Sequence, residues 1–297
     1  MSPADAPPVL PSRITPPLKA LPEGACDAHA HVFGPFDTFP LAQSRTRTPP
    51  EAAPHAHQAM LDALGFTRAV IVQGSAHGVD NRAVAAAVAR APERLRGVGV
   101  IDEAVTDGDL AALAAAGFRG MRFTEFTIEG GSRKPTSGFE ALRTVASRLA
   151  DHGLHAQIFT EIDTLHGEGA DLAGLGLPLV IDHMGKAFAT PIDISAAPAQ
   201  ALLGLVREGQ AWVKLTVIRG SAAYPDYEDL RPWHDALVEA NPERLLWGTD
   251  WPLLSLGDKT PDPGRLIDLF DRWTGNDSGL RQKVFVDNPA ALYRFSD

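Results

Sequence analysis

The stretch Ala25-Cys26-Asp27-Ala28-His29-Ala30-His31-Val32-Phe33 carries an Asp-x-His-x-His pattern. In an extended strand, side chains two apart share a face, so the pattern predicts Asp27, His29 and His31 projecting the same way. Two imidazoles about 7 Å apart along a strand can grip one atom together, either a metal ion or a carbonyl oxygen. The bland alternative is a polar strand end whose histidines cap a loop. Two later stretches count against it: Ile181-Asp182-His183-Met184-Gly185 and Trp247-Gly248-Thr249-Asp250-Trp251-Pro252. Each places a His or Asp just after a short apolar run. Cys26 adjoins the His pair and has to be weighed as a nucleophile. Alternation points it away from His29, so it reads as a small buried residue. As the single cysteine, it excludes an intramolecular disulfide and a cysteine metal cluster.

The elements that must position these residues are short and regular. Apolar runs predict strands starting near residues 25, 68, 95, 120, 155, 179, 211 and 245. Helical patterns separate them, at 56–64, 81–91, 109–116, 139–150, 199–207, 227–240, 262–273 and 279–286, with a last turn at 288–293. Strands alternating with helices give parallel βαβ units, and eight of them predict an α/β fold closed as a (β/α)8 TIM barrel. A doubly wound open sheet would need a Gly-x-Gly-x-x-Gly fingerprint at its first turn, and Asp27 to Gly34 has none. Residues 1–22 are proline-rich and read as an extended arm, with 23–297 as one catalytic barrel domain. Gly34–Pro54 and Thr124–Gly138, broken at Gly130-Gly131, read as loops. Gly97 and Gly99 look like weak points of the third strand.

A barrel of this kind carries its chemistry where strands end and βα loops begin. The polar residues predicted there are His29, His31, Ser75, His77, Arg122, His183, Arg219 and Asp250. Arg122 and Arg219 can grip a substrate carboxylate with paired hydrogen bonds, or serve as structural ion pairs. Arg122 has no acidic neighbour before Glu125, which points to a partner outside the chain. Ser75 can donate to a carboxylate or simply form a turn. His77 reads as a residue behind the site, because no Gly-x-Ser-x-Gly elbow frames a Ser75–His77 pair. His55, His57, His152, His166 and His234 fall on helices or linkers and read as surface residues.

The chain has 297 residues, 44% of them hydrophobic, and a net charge of −10. That charge argues against nucleic-acid binding, though a pocket can still be locally basic. No apolar run approaches the ~20 residues of a membrane span, and no signal-type apolar core opens the chain. A cytoplasmic location is expected, with either a monomer or a homodimer compatible.

These motifs resemble the amidohydrolase superfamily, through Asp27-Ala28-His29-Ala30-His31, His183 and Asp250. The closer resemblance is to its 2-pyrone-4,6-dicarboxylate lactonase group, which includes sugar-acid lactonases and a galactarolactone isomerase. It is carried by His31-Val32-Phe33-Gly34-Pro35, by Val70 to Asn81, by Ile181 to Lys186 and by Asn288-Pro289-Ala290-Ala291-Leu292-Tyr293. The resemblance implies a reaction centre of His29, His31, His183 and Asp250. Most of the superfamily binds one or two divalent metals there, while the pyrone lactonase works without one. Departures stand at Ile128, where a second arginine is expected, at Phe159, where a tyrosine is expected, and at Leu253, where a His often follows Trp-Pro.

Opening a lactone requires a deprotonated water, a polarised carbonyl and a protonated ring oxygen. Asp250 suits the role of general base and then acid. His29, His31 and His183 can polarise the carbonyl directly or through a metal. No fifth-strand His ligand is identified and no bridging lysine is evident, which argues against a two-metal site. No cofactor is obligatory, and zero or one divalent cation remains open, with Zn²⁺ suiting His and Asp ligands. The expected substrate is a small anionic lactone. A sugar-acid lactone isomerase and a metal-dependent decarboxylase are the alternative activities on the same centre.

Overall fold

The computed structural model describes residues 13–45, 47–128, 131–133, 136–254 and 256–296. The first twelve residues of the expected arm, Gly130 of the expected loop break and the side chain of Ile128 lie outside that set. Eight parallel strands run in sequence order around one sheet: β1 (Cys26–Ala30), β2 (Arg68–Val72), β3 (Leu95–Gly99), β4 (Phe118–Thr124), β5 (His155–Phe159), β6 (Leu179–Ile181), β7 (Ala211–Lys214) and β8 (Leu245–Leu246). The eight predicted starts fall on these strands. The end of β8 returns to β1: Ala28 N–H donates to Trp247 O (2.9 Å), Asp250 N–H to His29 O (2.8 Å) and His31 N–H to Trp251 O (2.7 Å). These bonds close the barrel and use up edges that would otherwise be left unpaired.

A second apolar cluster joins Cys26 and Ala28 of β1, Val70 and Val72 of β2, Val98 of β3, Val180 of β6 and Leu246 of β8. Tyr293, the last residue of the final helix (Asn288–Tyr293), and Phe295 just beyond it pack into this cluster. Cys26 is fully buried there, as its expected inert role requires. The larger core lies between strands and helices. Helix α1 (Pro54–Leu64) presents His57, Met60, Leu61 and Leu64 inward, at i, i+3, i+4 and i+7. Helix α2 (Phe139–Asp151) buries Phe139, Leu142, Val145, Ala146 and Leu149 in the same way. Gly97 is no weak point: a Cβ there would lie 2.9 Å from the Phe118 ring, so only glycine lets β3 and β4 pack.

Two further expectations are corrected. The 124–138 loop contains a short antiparallel hairpin, Phe126–Ile128 with Gly131–Arg133. His57 and His234 are buried: His57 shares the apolar face of α1, against Trp251 at 5.6 Å, and His234 packs on Trp273 at 5.1 Å. The described part of the arm, from residue 13, carries no helix or strand and lies against the barrel: Thr15 N–H donates to Asp262 (3.0 Å), and Arg281 donates to the carbonyls of Lys19 (2.8 Å) and Ala20 (2.6 Å). No helix among the described residues is long and apolar enough to cross a membrane.

Candidate active site

β1 does not keep the alternation its sequence suggests. From Asp27 to Ala30 it advances three positions while β2 advances two, from Ala69 to Ile71. The extra residue is a bulge, and it separates Asp27 from the face of His29 and His31. Asp27 is used elsewhere: it accepts from Thr249 N–H (2.9 Å), Thr249 Oγ1–H (2.6 Å) and His29 N–H (3.1 Å), which pins β8 to β1. Burial raises its carboxyl to about 6, against these hydrogen bonds.

Pinned this way, the turn after β8 holds Asp250 with φ 56°. His183, after β6, has φ 52°, and Met184 beside it has φ 57°. Left-handed backbone costs a non-glycine residue of order 1 kcal/mol or more, and it persists where surrounding structure enforces it. Two of the four expected reaction-centre residues therefore sit on strained backbone. Gly248 makes room beside them, since a Cβ there would lie 2.6 Å from the His29 Cβ.

His29, His31, His183 and Asp250 converge at one end of the barrel. The His29 ring lies 5.0 Å from His31 and 4.8 Å from His183, centroid to centroid. His31 Nε2 is 3.2 Å from Asp250 Oδ1, and His29 Nε2 is 3.6 Å from the same oxygen. The other oxygen, Oδ2, takes Arg219 Nε at 2.7 Å and Nη2 at 2.6 Å. Burial would raise the Asp250 carboxyl, but Arg219 and the neighbouring imidazoles overcome it and hold it well below the usual range. Arg219 thus pairs with the candidate base, the ion-pair arrangement of the two open to it from sequence.

The tautomer of His31 follows from its partners. Val72 O can only accept, so His31 Nδ1 carries the hydrogen in their 2.7 Å contact. The Nε2 lone pair of a neutral His31 would then face Asp250 Oδ1 at 3.2 Å. A positive centre between them resolves the conflict, either a proton on Nε2 or a metal ion. The separations fit a metal as well, since tetrahedral bonds of ~2.0–2.1 Å place ligand atoms about 3.3 Å apart. His29, His31 and Asp250 offer three donors within 4.8 Å of one another, as do His29, Asp182 and His183. His29 Nε2 and His183 Nδ1 are buried with no hydrogen-bond partner. The two triads share His29, so His29 with either pair of partners fits one divalent ion.

Below His29 lies a layer that sequence reading missed. Asp182 Oδ2 accepts from Arg122 Nε (2.9 Å) and Gln157 Nε2 (3.1 Å). Asp182 Oδ1 lies 3.2 Å from His29 Nδ1 and 3.4 Å from Lys214 Nζ. Lys214 also donates to Gln157 Oε1 at 2.7 Å and sits 3.2 Å from His29 Nδ1. Burial lowers Lys214 to about 8, with Asp182 opposing, and lowers His183 to about 3. Burial first, then Lys214, holds His29 well below the usual histidine range. The expectation that Arg122 finds its partner outside the chain is corrected: Asp182, sixty positions away, supplies it. The signal was present in a lysine ending the apolar strand Ala211-Trp212-Val213-Lys214, where barrel strands deliver catalytic groups.

The Arg122 guanidinium stacks at 4.6 Å over Phe159, which also meets His183 at 5.1 Å. Its side chain keeps 9% exposure, with only Nε bonded to protein among the described residues. Ser75 opens the turn Ser75–His77 and is exposed, joined to the cluster by no described contact. His77 is buried one ring away, stacked on Phe33 at 6.0 Å, and Phe33 meets His31 at 5.9 Å.

A family model described as Amidohydrolase matches residues 26–295. A 2-pyrone-4,6-dicarbaxylate hydrolase from Comamonas testosteroni is 36% identical, covering 92% of this chain and 91% of its own. A 4-sulfomuconolactone hydrolase from Rhizobium radiobacter is also 36% identical, with the same coverage of 92% and 91%. An apo crystal structure from Agrobacterium tumefaciens superposes with a TM-score of 0.83 at 30% identity, covering 94% of this chain and 99% of that one.

Proposed function

The chain belongs to the amidohydrolase family, and on that premise we propose that it is a lactone hydrolase acting on a small carboxylated lactone. Residues 23–297 act as one catalytic domain of a cytoplasmic enzyme that binds neither nucleic acid nor membrane. The observation that carries this reading is the environment of Asp250: one oxygen is neutralised by Arg219 while the other faces two imidazoles. A carboxylate ionised in a dry site, beside groups that can hold a carbonyl, is a water-activating arrangement.

In the proposed reaction, Asp250 Oδ1 takes a proton from water as the water oxygen bonds to the lactone carbonyl carbon. Negative charge growing beside Asp250 raises its proton affinity at that moment. His29 and His183 steady the carbonyl oxygen as it becomes an oxyanion. The ring C–O bond then breaks, Asp250 returns its proton to the leaving ring oxygen, and the product is an open-chain acid. Arg122 keeps Nε on Asp182 and offers the outer edge of its guanidinium to a substrate carboxylate. Phe159 supports that guanidinium from below. A single divalent ion on His29, His31, His183 and Asp250, zinc being the chemical match, would supply Lewis-acid polarisation of the same carbonyl.

The test is a panel of carboxylated lactones, followed by proton release on protein of measured metal content. Ring opening releases acid, whereas isomerisation releases none. Absence of acid release across pyrone, muconolactone and sugar-acid lactones would sink the reading.

A further inference from the structure

His29 Nδ1 is claimed by two groups that want opposite things from it. Asp182 Oδ1, at 3.2 Å, can only accept, so it favours a hydrogen on Nδ1. Lys214 Nζ, at 3.2 Å, is an ammonium with donors and no lone pair, so it favours a bare Nδ1. The two states have different uses. A hydrogen on Nδ1 leaves the Nε2 lone pair free to hold a metal. A bare Nδ1 puts the hydrogen on Nε2, where it can donate to a carbonyl oxygen.

The surroundings favour the second state. Asp182 is already supplied on Oδ2 by Arg122 and Gln157, and its Oδ1 also has Lys214 at 3.4 Å. Lys214 is fully buried, and its bond to Gln157 Oε1 at 2.7 Å holds Nζ beside His29. A hydrogen on Nδ1 would face an ammonium hydrogen across that 3.2 Å gap. We propose that Lys214 is a positioning residue that fixes His29 as the Nε2–H tautomer, making it a carbonyl donor in the metal-free protein and setting it against metal binding. The use made of that hydrogen rests on the proposed lactone chemistry. The tautomer itself is read without substrate, so a failure of that chemistry leaves this inference standing or falling by itself.

The experiment is a long-range ¹H–¹⁵N spectrum of metal-stripped, ¹⁵N-histidine-labelled protein, with His29 assigned by difference from His29→Gln. Wild type is expected to show hydrogen on Nε2. Lys214→Met keeps the chain length and removes the donor, and it should move the hydrogen to Nδ1. In the same variant, cobalt(II) alone, titrated by visible absorbance, should bind at least tenfold more tightly. A wild-type His29 with hydrogen on Nδ1 or on both nitrogens overturns the proposal, and that spectrum decides it even if the variant fails to fold. An unchanged tautomer or an unchanged cobalt affinity in a folded Lys214→Met overturns it equally.

Discussion

Arg219→Met removes the cation that neutralises Asp250 Oδ2 and leaves the carboxylate buried. Asp250 is 1% exposed, and both guanidinium contacts, at 2.7 and 2.6 Å, disappear. Removing one partner of a buried pair costs about 3–5 kcal/mol, because the remaining charge is uncompensated. The Arg219 side chain is 20% exposed, which places the loss near the lower end, about 3 kcal/mol. For a domain this large that is roughly 6 °C in Tm, at ~2 °C per kcal/mol. The pH dependence has a definite sign. In wild type, burial would raise the Asp250 carboxyl, but Arg219 and the imidazoles hold it low, so its stabilisation is present above the unfolded carboxylate range and is lost only as pH falls through the lowered value. In the variant, burial is opposed by the imidazoles alone and the carboxyl moves up. The acid limb of kcat/KM should therefore shift to higher pH, with activity recovering toward alkaline pH. Urea unfolding at neutral pH and a pH–rate profile check the two halves. A stability loss under ~1 kcal/mol together with an unmoved acid limb would refute the assignment of Arg219 as the charge partner of the base.

Asp250→Asn should lower kcat by ~10²–10⁴-fold with near-UV circular dichroism unchanged, and near-normal turnover would remove Asp250 from the chemistry. Arg122→Lys keeps the charge but cannot both bond Asp182 and present a flat two-nitrogen edge, so KM for a carboxylated lactone should rise more than KM for its methyl ester. Equal rises would make Arg122 a support of Asp182 alone. Metal titration of stripped protein should saturate at no more than one divalent ion per chain, and two tightly held equivalents would contradict the donor geometry around His29.

What depends on neighbours along the chain is readable without the fold. Apolar runs bounded by helical patterns located all eight barrel strands, because alternation and 3.6-residue periodicity are local properties. The same locality placed His29, His31, His183 and Asp250 at strand ends, and a barrel brings strand ends to one mouth. His57 is legible too, three and four positions before Met60 and Leu61 on the buried face of α1, although residue type alone places a helix histidine at the surface. Closure of the barrel decided the rest. The bulge at Asp27–Ala30 turns Asp27 toward Thr249, which depends on how β1 pairs with its neighbours rather than on its own residues. The partners Arg122–Asp182, Arg219–Asp250 and Lys214–His29 are 60, 31 and 185 positions apart, and no periodicity links them. Only the folded barrel removes these charges from water together, and removal from water is what makes each pairing necessary.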